Sequence, residues 1–130
     1  MNLIALIIPL LMFLNVNHQT VDLVVNDNLL LRWDKTEHDF GKIGQGVPQS
    51  TVFTLTNLAN RPMLLTKVKG SCGCTATDYE KGPIAPGNST TIKATYNAKS
   101  PGQFSKTITV RTNLQNDPMI LTIKGLVDSR

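Results

Sequence analysis

Two cysteines separated by one glycine are the residues of this chain whose types and spacing could carry chemistry. Cys72 and Cys74 are the only cysteines among the 130 residues. Two sulfurs supply at most half of the ligands of a closed tetrahedral zinc site. The sequence has no Ser/His/Asp arrangement, paired-carboxylate motif or glycine-rich phosphate loop to accompany them. Any chemistry is therefore expected at Cys72-Gly73-Cys74, and the sequence by itself names no molecular activity.

Three interpretations of the cysteine pair stay open. In an oxidising compartment the two sulfurs form a local disulfide. Residues i and i+2 of a strand lie about 6.6 Å apart, near the upper limit of about 6.8 Å for a disulfide, so the backbone must pucker at Gly73. Alternatively, two thiolates hold a soft ion such as Cu(I), or both residues are small hydrophobic groups at a strand bend. We expect a disulfide or thiol pair with a structural role, and no catalytic residue, cofactor or metal site.

The other polar candidates carry less chemistry. His38 would suit copper or zinc as a third ligand, but nothing in the sequence places it near the sulfurs. We expect His38 and Asp39 on the outer side of a strand whose Phe40 reaches the core. The remaining polar candidates are expected in solvated loops and turns: Asp78, Glu80, Lys81 and the sequon Asn88-Ser89-Thr90.

The first twenty residues differ in composition from the rest of the chain. They contain no charged residue, and Leu3 to Leu14 is apolar throughout. As a helix this stretch would cover about 18 Å, against roughly 30 Å for a bilayer core, so it fits a secretory signal better than a membrane span. A buried first helix or strand is the alternative, although Pro9 disfavours a regular helix. We expect a signal peptide over residues 1–20, a linker over 21–28 and a periplasmic, envelope or secreted protein.

Composition indicates one ordinary globular domain. A chain of 130 residues, 41% of them hydrophobic, has room for one core. The net charge of +4 comes from Lys and Arg spread singly along the sequence. Without basic runs or interleaved aromatic residues, this charge predicts a solvated surface and no nucleic-acid partner.

Short alternating runs indicate an all-β domain over residues 29–127, followed by a tail over 128–130. Turn residues separate the runs at regular intervals, and no convincing helical period lies between them. The expected strands are Leu29 to Trp33, His38 to Ile43, Thr51 to Asn57, Met63 to Lys69, Thr90 to Tyr96, Phe104 to Thr112 and Met119 to Leu126. The expected core members are Phe40, Phe53, Leu55, Ile92, Tyr96, Phe104, Ile108, Val110 and Ile123. About seven strands of this kind predict an immunoglobulin-like antiparallel β-sandwich, with no parallel sheet.

Several motifs, in order along the chain, resemble one family. They are His38-Asp39-Phe40-Gly41-Lys42-Ile43, Phe53-Thr54-Leu55-Thr56-Asn57, Ser71-Cys72-Gly73-Cys74-Thr75, Pro83-Ile84-Ala85-Pro86-Gly87, Gly102-Gln103-Phe104 and Thr112-Asn113. Together they resemble the bacterial DUF1573 family of secreted or envelope proteins, from about Trp33 to Val127. The resemblance implies an immunoglobulin-like fold similar to the ASPM/SPD-2/hydin and major-sperm-protein domains, which are usually interaction modules. It implies no catalytic residue.

Two functions from different classes follow. The first is an exported, non-enzymatic binding or scaffold module that contacts another envelope protein through sheet edges and loops. The alternative is a protein that uses Cys72-Gly73-Cys74 for thiol redox exchange or copper binding. Exposure of the sulfurs separates them, because an active thiol must be accessible and have a lowered pKa.

Overall fold

Eight β-strands build the described part of the chain. The structure, a computed structural model, describes residues 30–129. The strands are β1 (Leu31–Trp33), β2 (Glu37–Gly44), β3 (Gln49–Asn57), β4 (Leu65–Gly70), β5 (Thr75–Tyr79), β6 (Ser89–Tyr96), β7 (Gly102–Thr112) and β8 (Met119–Asp128). No helix in this range is long and apolar enough to cross a membrane.

The strands form two four-stranded sheets that enclose the core. The first sheet has the order β1-β3-β6-β5 and the second the order β2-β8-β7-β4. Strand β3 shows why this sequence folds in this way: Phe53 and Leu55 have no exposed surface, whereas Val52 between them is 43% exposed. Alternate residues of a strand point to opposite faces, so one face is buried between the sheets. The expected immunoglobulin-like sandwich is confirmed.

The predicted core is confirmed except at one residue. Phe53, Leu55, Ile92, Tyr96, Phe104, Ile108, Val110 and Ile123 are all buried. Phe40 is half-buried and packs against this core from the edge strand β2, with its ring centroid 6.4 Å from that of Phe104. An edge strand has a neighbour on one side only, which explains the partial exposure of Phe40.

One strand pair contradicts the expectation of purely antiparallel pairing. Strand β2 runs parallel to β8, with His38 opposite Ile123, and the other strand pairs are antiparallel. After β1 the chain crosses to the second sheet, where β2 lies beside the last strand. The pair contains an irregularity between Asp39 and Lys42, where Gly41 has a φ of +66°.

Strand β5 was not expected from the sequence. It covers Thr75–Tyr79, where a solvated loop was predicted around Asp78, and it brings the total to eight strands. Thr75 is buried and Thr77 half-buried, while Ala76 and Asp78 are exposed. The inner face of β5 therefore carries two threonines before Tyr79, so its alternation is not visible as alternating hydrophobicity. Glu80 and Lys81 lie beyond β5 and are exposed, as expected.

A fully buried asparagine closes one end of the sandwich. The Asn57 side-chain amide donates hydrogen bonds to the carbonyl oxygens of Arg61 and Ile84, each at 2.9 Å. Its Oδ1 accepts a hydrogen bond from the Ala59 N–H at 2.9 Å. Asn57 was expected only as the point where a strand meets a turn. In the structure it holds the loop after β3 against the segment that contains Ile84.

Candidate functional site

The cysteine pair lies where the chain crosses from one sheet to the other. Strand β4 is an edge of the second sheet and β5 is an edge of the first, and residues 71–74 connect them. In the structure Cys72 and Cys74 are joined by a disulfide, with their Cα atoms 5.2 Å apart. This is shorter than the i to i+2 distance of about 6.6 Å in a regular strand, because the chain turns at Gly73.

Backbone hydrogen bonds hold this crossover to both sheets. The Ser71 N–H donates to the Thr107 carbonyl at 2.8 Å, and the Thr107 N–H donates to Ser71 Oγ at 3.2 Å, which ties the crossover to β7. On the other side, the Asn97 N–H donates to the Cys74 carbonyl at 3.0 Å, just past the end of β6. The disulfide therefore lies in a segment that is already fixed at both ends.

Gly70 makes the tight crossover sterically possible. A Cβ atom at this position would lie 2.9 Å from the Thr75 carbonyl oxygen and 3.1 Å from the Thr75 Cβ. Any side chain here would force β4 and β5 apart. This contact could not be predicted from the sequence, since the approach of Thr75 to Gly70 depends on the sheet-to-sheet geometry.

The sulfurs are neither deeply buried nor fully exposed. Cys72 and Cys74 are half-buried, and Cys74 packs against the main core. Cys72 Sγ lies 3.8 Å from the Thr75 hydroxyl. The neighbouring cations Lys67 and Lys69 are exposed, on the opposite face of β4 from the half-buried Val68.

His38 lies at the opposite edge of the second sheet from the crossover. It belongs to β2, and β8 and β7 separate β2 from β4. The prediction that His38 points outward is wrong: it is half-buried, like Phe40, and the two rings meet edge to face at 4.6 Å. Residues i and i+2 of a strand share a face, so His38 follows Phe40, while Asp39 is exposed.

Its surroundings make His38 a poor proton acceptor. Burial lowers its pKa, the nearby Lys35 cation lowers it further, and Asp39 partly opposes this. Lys35 Nζ lies 3.3 Å from the imidazole Nδ1. Within residues 30–129, no group of three or more His, Cys, Asp or Glu side chains is placed to hold a metal ion.

The pairing of Cys72 with Cys74 stays a prediction for the protein isolated from cells. We expect no free thiol in the denatured protein before reduction and two after it, measured with a thiol reagent. Replacing both cysteines with serine should lower the free energy of unfolding by about 2 kcal/mol or less, because the closed loop is very short. Two free thiols in protein purified without reductant would contradict the pairing, and stoichiometric copper in elemental analysis would favour a metal site instead.

Strands β4 and β5 flank the crossover, and beside them the core is only partly shielded from solvent. We call it the edge seam and define it by four half-buried residues that pack against the core at β4, the crossover and β5: Leu65, Val68, Cys74 and Tyr79. Among the described strands of residues 30–129, β4 and β5 each pair with a neighbour on one side only. An edge that pairs with no other strand presents backbone groups to which another chain can bind.

These features define an immunoglobulin-like β-sandwich, and its fold is similar to that of an ASH/PapD-like domain. A domain of human CEP192 described as an ASH/PapD-like domain superposes with a TM-score of 0.67 at 7% identity, covering 78% of this chain and 87% of that one. The chain belongs to the DUF1573 family, described as proteins of unknown function, whose model matches residues 31–127. The sequence resemblance to this family is confirmed.

Two further solved structures share the fold. A protein of unknown function from Porphyromonas gingivalis W83 has a TM-score of 0.66 at 17% identity, covering 75% of this chain and 46% of that one. The Vibrio cholerae VesB protease has a TM-score of 0.62 at 19% identity, covering 78% of this chain and 32% of that one. The chain thus spans less than half of either protein, and identities this low indicate a shared fold alone. A comparison with curated proteins gave no match.

Proposed function

We propose that this protein is an exported, non-enzymatic binding module that contacts another protein of the cell envelope. The observation that carries the proposal is the edge seam, where two unpaired strand edges lie beside half-buried apolar side chains. Unpaired edges recognise extended segments of other chains through main-chain hydrogen bonds, and alternate side chains supply specificity. The likeness to an ASH/PapD-like domain supports this by analogy of fold.

No observation favours the alternative of thiol exchange or copper binding. A thiol that attacks another sulfur must be an accessible thiolate. In the structure each sulfur of the chain is bonded to the other, in a crossover fixed to both sheets. We therefore assign the cysteine pair a structural part in the proposed module, at one end of the edge seam.

Export is the first testable part of the proposal. Residues 1–29 lie outside the described residues, and the expectation rests on the uncharged segment from Leu3 to Leu14. We expect the mature protein to begin between about Asn15 and Asp22 after signal cleavage. N-terminal sequencing of protein recovered from the envelope or medium measures this directly. Protein confined to the cytosol with Met1 intact would contradict export.

Binding is tested by capture followed by reconstitution. The full chain, tagged at its C-terminus and expressed in the organism of origin, is cross-linked in the intact envelope, and its partners are identified by mass spectrometry. The purified partner should then bind the purified chain with a measurable Kd and without chemical change to either protein. Failure of every captured protein to bind after purification would refute the module. Turnover of a model disulfide by the native chain, lost on replacement of both cysteines, would replace the module with a redox enzyme.

A further inference from the structure

Strand β4 combines a free edge with a local excess of positive charge. Its outer face carries Lys67 and Lys69, both exposed. In the pairing with β7, Lys67 lies directly opposite Arg111, which is also exposed. Like charges directly opposite each other on a sheet reduce its stability. A negatively charged partner would therefore reduce the repulsion between these cations.

Acidic side chains of the same sheet do not neutralise this cluster. Neither β4 nor β7 contains an aspartate or glutamate. Glu37 lies on β2, at the far edge of the sheet, and forms an ion pair with Lys124 at 2.5 Å. The guanidinium of Arg111 donates a hydrogen bond to the Asn116 carbonyl at 3.4 Å, in the loop before β8. The outer face is thus positive at its β4 edge.

Backbone groups of β4 are directed toward the free edge. Just after β4, Ser71 exchanges hydrogen bonds with Thr107 of β7. These bonds show which residues of β4 direct their backbone groups toward β7. In antiparallel pairing the direction alternates, so Lys69 faces β7 and the N–H and C=O of Val68 point away from it. The Val68 side chain is half-buried and packs against the core. An added strand would therefore meet free backbone groups, an apolar inner face and a basic outer face.

From these three features we propose that β4 is the docking edge for an extended acidic segment of a partner protein. The segment pairs its backbone with Val68 as an additional antiparallel strand of the second sheet. It places glutamate or aspartate at alternate positions beside Lys67 and Lys69, and apolar residues between them over the edge seam. This inference rests on the proposed function and gives its partner a chemical class.

A synthetic peptide tests the surface without knowledge of the natural partner. The probe is fluorescently labelled Gly-Glu-Val-Glu-Val-Glu-Gly, and its binding to the full chain is measured by anisotropy at low and at physiological salt. The charge-reversed variant K67E/K69E should bind at least tenfold more weakly. The matched control K42E/K99E, which makes the same charge change at exposed residues outside β4 and the edge seam, should bind like the native chain. K67Q/K69Q, which removes the charge without reversing it, should also bind less tightly.

Two further probes separate strand addition from charge attraction alone. The same peptide with both valine nitrogens methylated keeps its charge but loses the two main-chain donors that face β4 in an antiparallel pairing, so we expect its binding to be lost. A peptide with lysine in place of glutamate should bind K67E/K69E better than it binds the native chain. Equal affinity of the methylated and parent peptides would overturn strand addition, and no binding of the parent peptide would leave Lys67 and Lys69 as residues that only protect an edge from aggregation.

The captured partner distinguishes failure of this surface from failure of the proposed function. If K67E/K69E binds the purified partner as tightly as the native chain, the partner uses another surface and only the present inference is lost. If no captured protein binds even the native chain, the binding module itself is refuted. Circular dichroism and the denaturant midpoint confirm that each variant is folded in these comparisons.

Discussion

Replacing Phe53 with alanine is expected to lower the free energy of unfolding by about 3–5 kcal/mol. Phe53 has no exposed surface and lies in the main core between the sheets, so its loss leaves a cavity that the surrounding side chains fill only in part. The ring also lies 5.6 Å from Lys35 Nζ, a cation–π contact that alanine cannot make. The effect is measured from the denaturant midpoint of urea unfolding followed by circular dichroism.

Lys93→Ala is the matched control for this substitution. Lys93 lies on β6, next to β3, and pairs with Val52 on the exposed outer face of the same sheet. Its truncation removes no core contact and should change stability by less than about 0.5 kcal/mol. Similar midpoints for the two variants would mean that the buried and exposed faces of β3 have been assigned the wrong way round.

Asn57→Ala is expected to cost on the order of 3 kcal/mol. The substitution removes three side-chain hydrogen bonds, to Ala59, Arg61 and Ile84, from a residue that has no exposed surface. A buried backbone group left without its partner loses its interaction with water and gains nothing in return. The loop after β3 should therefore loosen as the domain loses stability. Urea unfolding and amide hydrogen exchange at Ala59 report the two effects separately.

Asn60→Ala serves as the control within the same loop. Asn60 is exposed, so alanine there should leave both the midpoint and the exchange rate of Ala59 close to native values. If Asn57→Ala proved as mild as Asn60→Ala, water would have to replace the lost hydrogen bonds, and Asn57 would not be the residue that closes this end of the sandwich.

The strands with one apolar face could be predicted from the sequence. In β3 and β6 the buried positions hold large hydrophobic residues such as Phe53 and Ile92, and the exposed positions between them are mostly polar. Strand β5 could not be found in this way, since Thr75 and Thr77 occupy two of its three inner positions. The parallel pairing of β2 with β8 was also missed. Alternation identifies strands and faces but not the partner of a strand that is distant in sequence.

The candidate site was only partly predictable for a similar reason. The spacing of Cys72 and Cys74 identified a special segment and required a bend at Gly73. Its position between the edges of two sheets depends on the order of all eight strands. Likewise, the sequence indicates only ordinary surface charge at Lys67 and Lys69. The strand register in the structure places Arg111 opposite Lys67. Charge clusters that form across neighbouring strands depend on the fold, so they cannot be predicted from a local sequence pattern.

The parallel pairing of β2 with β8 has a consequence for the timing of folding. Strand β2 lies near the beginning of the domain, but its pairing partner β8 is the last strand. His38 therefore cannot pair with Ile123 until nearly the whole domain has been synthesised. Contacts between such distant residues must overcome the entropy of closing a long loop, and domains rich in them fold in milliseconds to seconds. During synthesis the second sheet cannot be completed until β8 has left the ribosome. If the chain is exported, as proposed above, this delay would keep the polypeptide unfolded and suited to passage through a translocation channel.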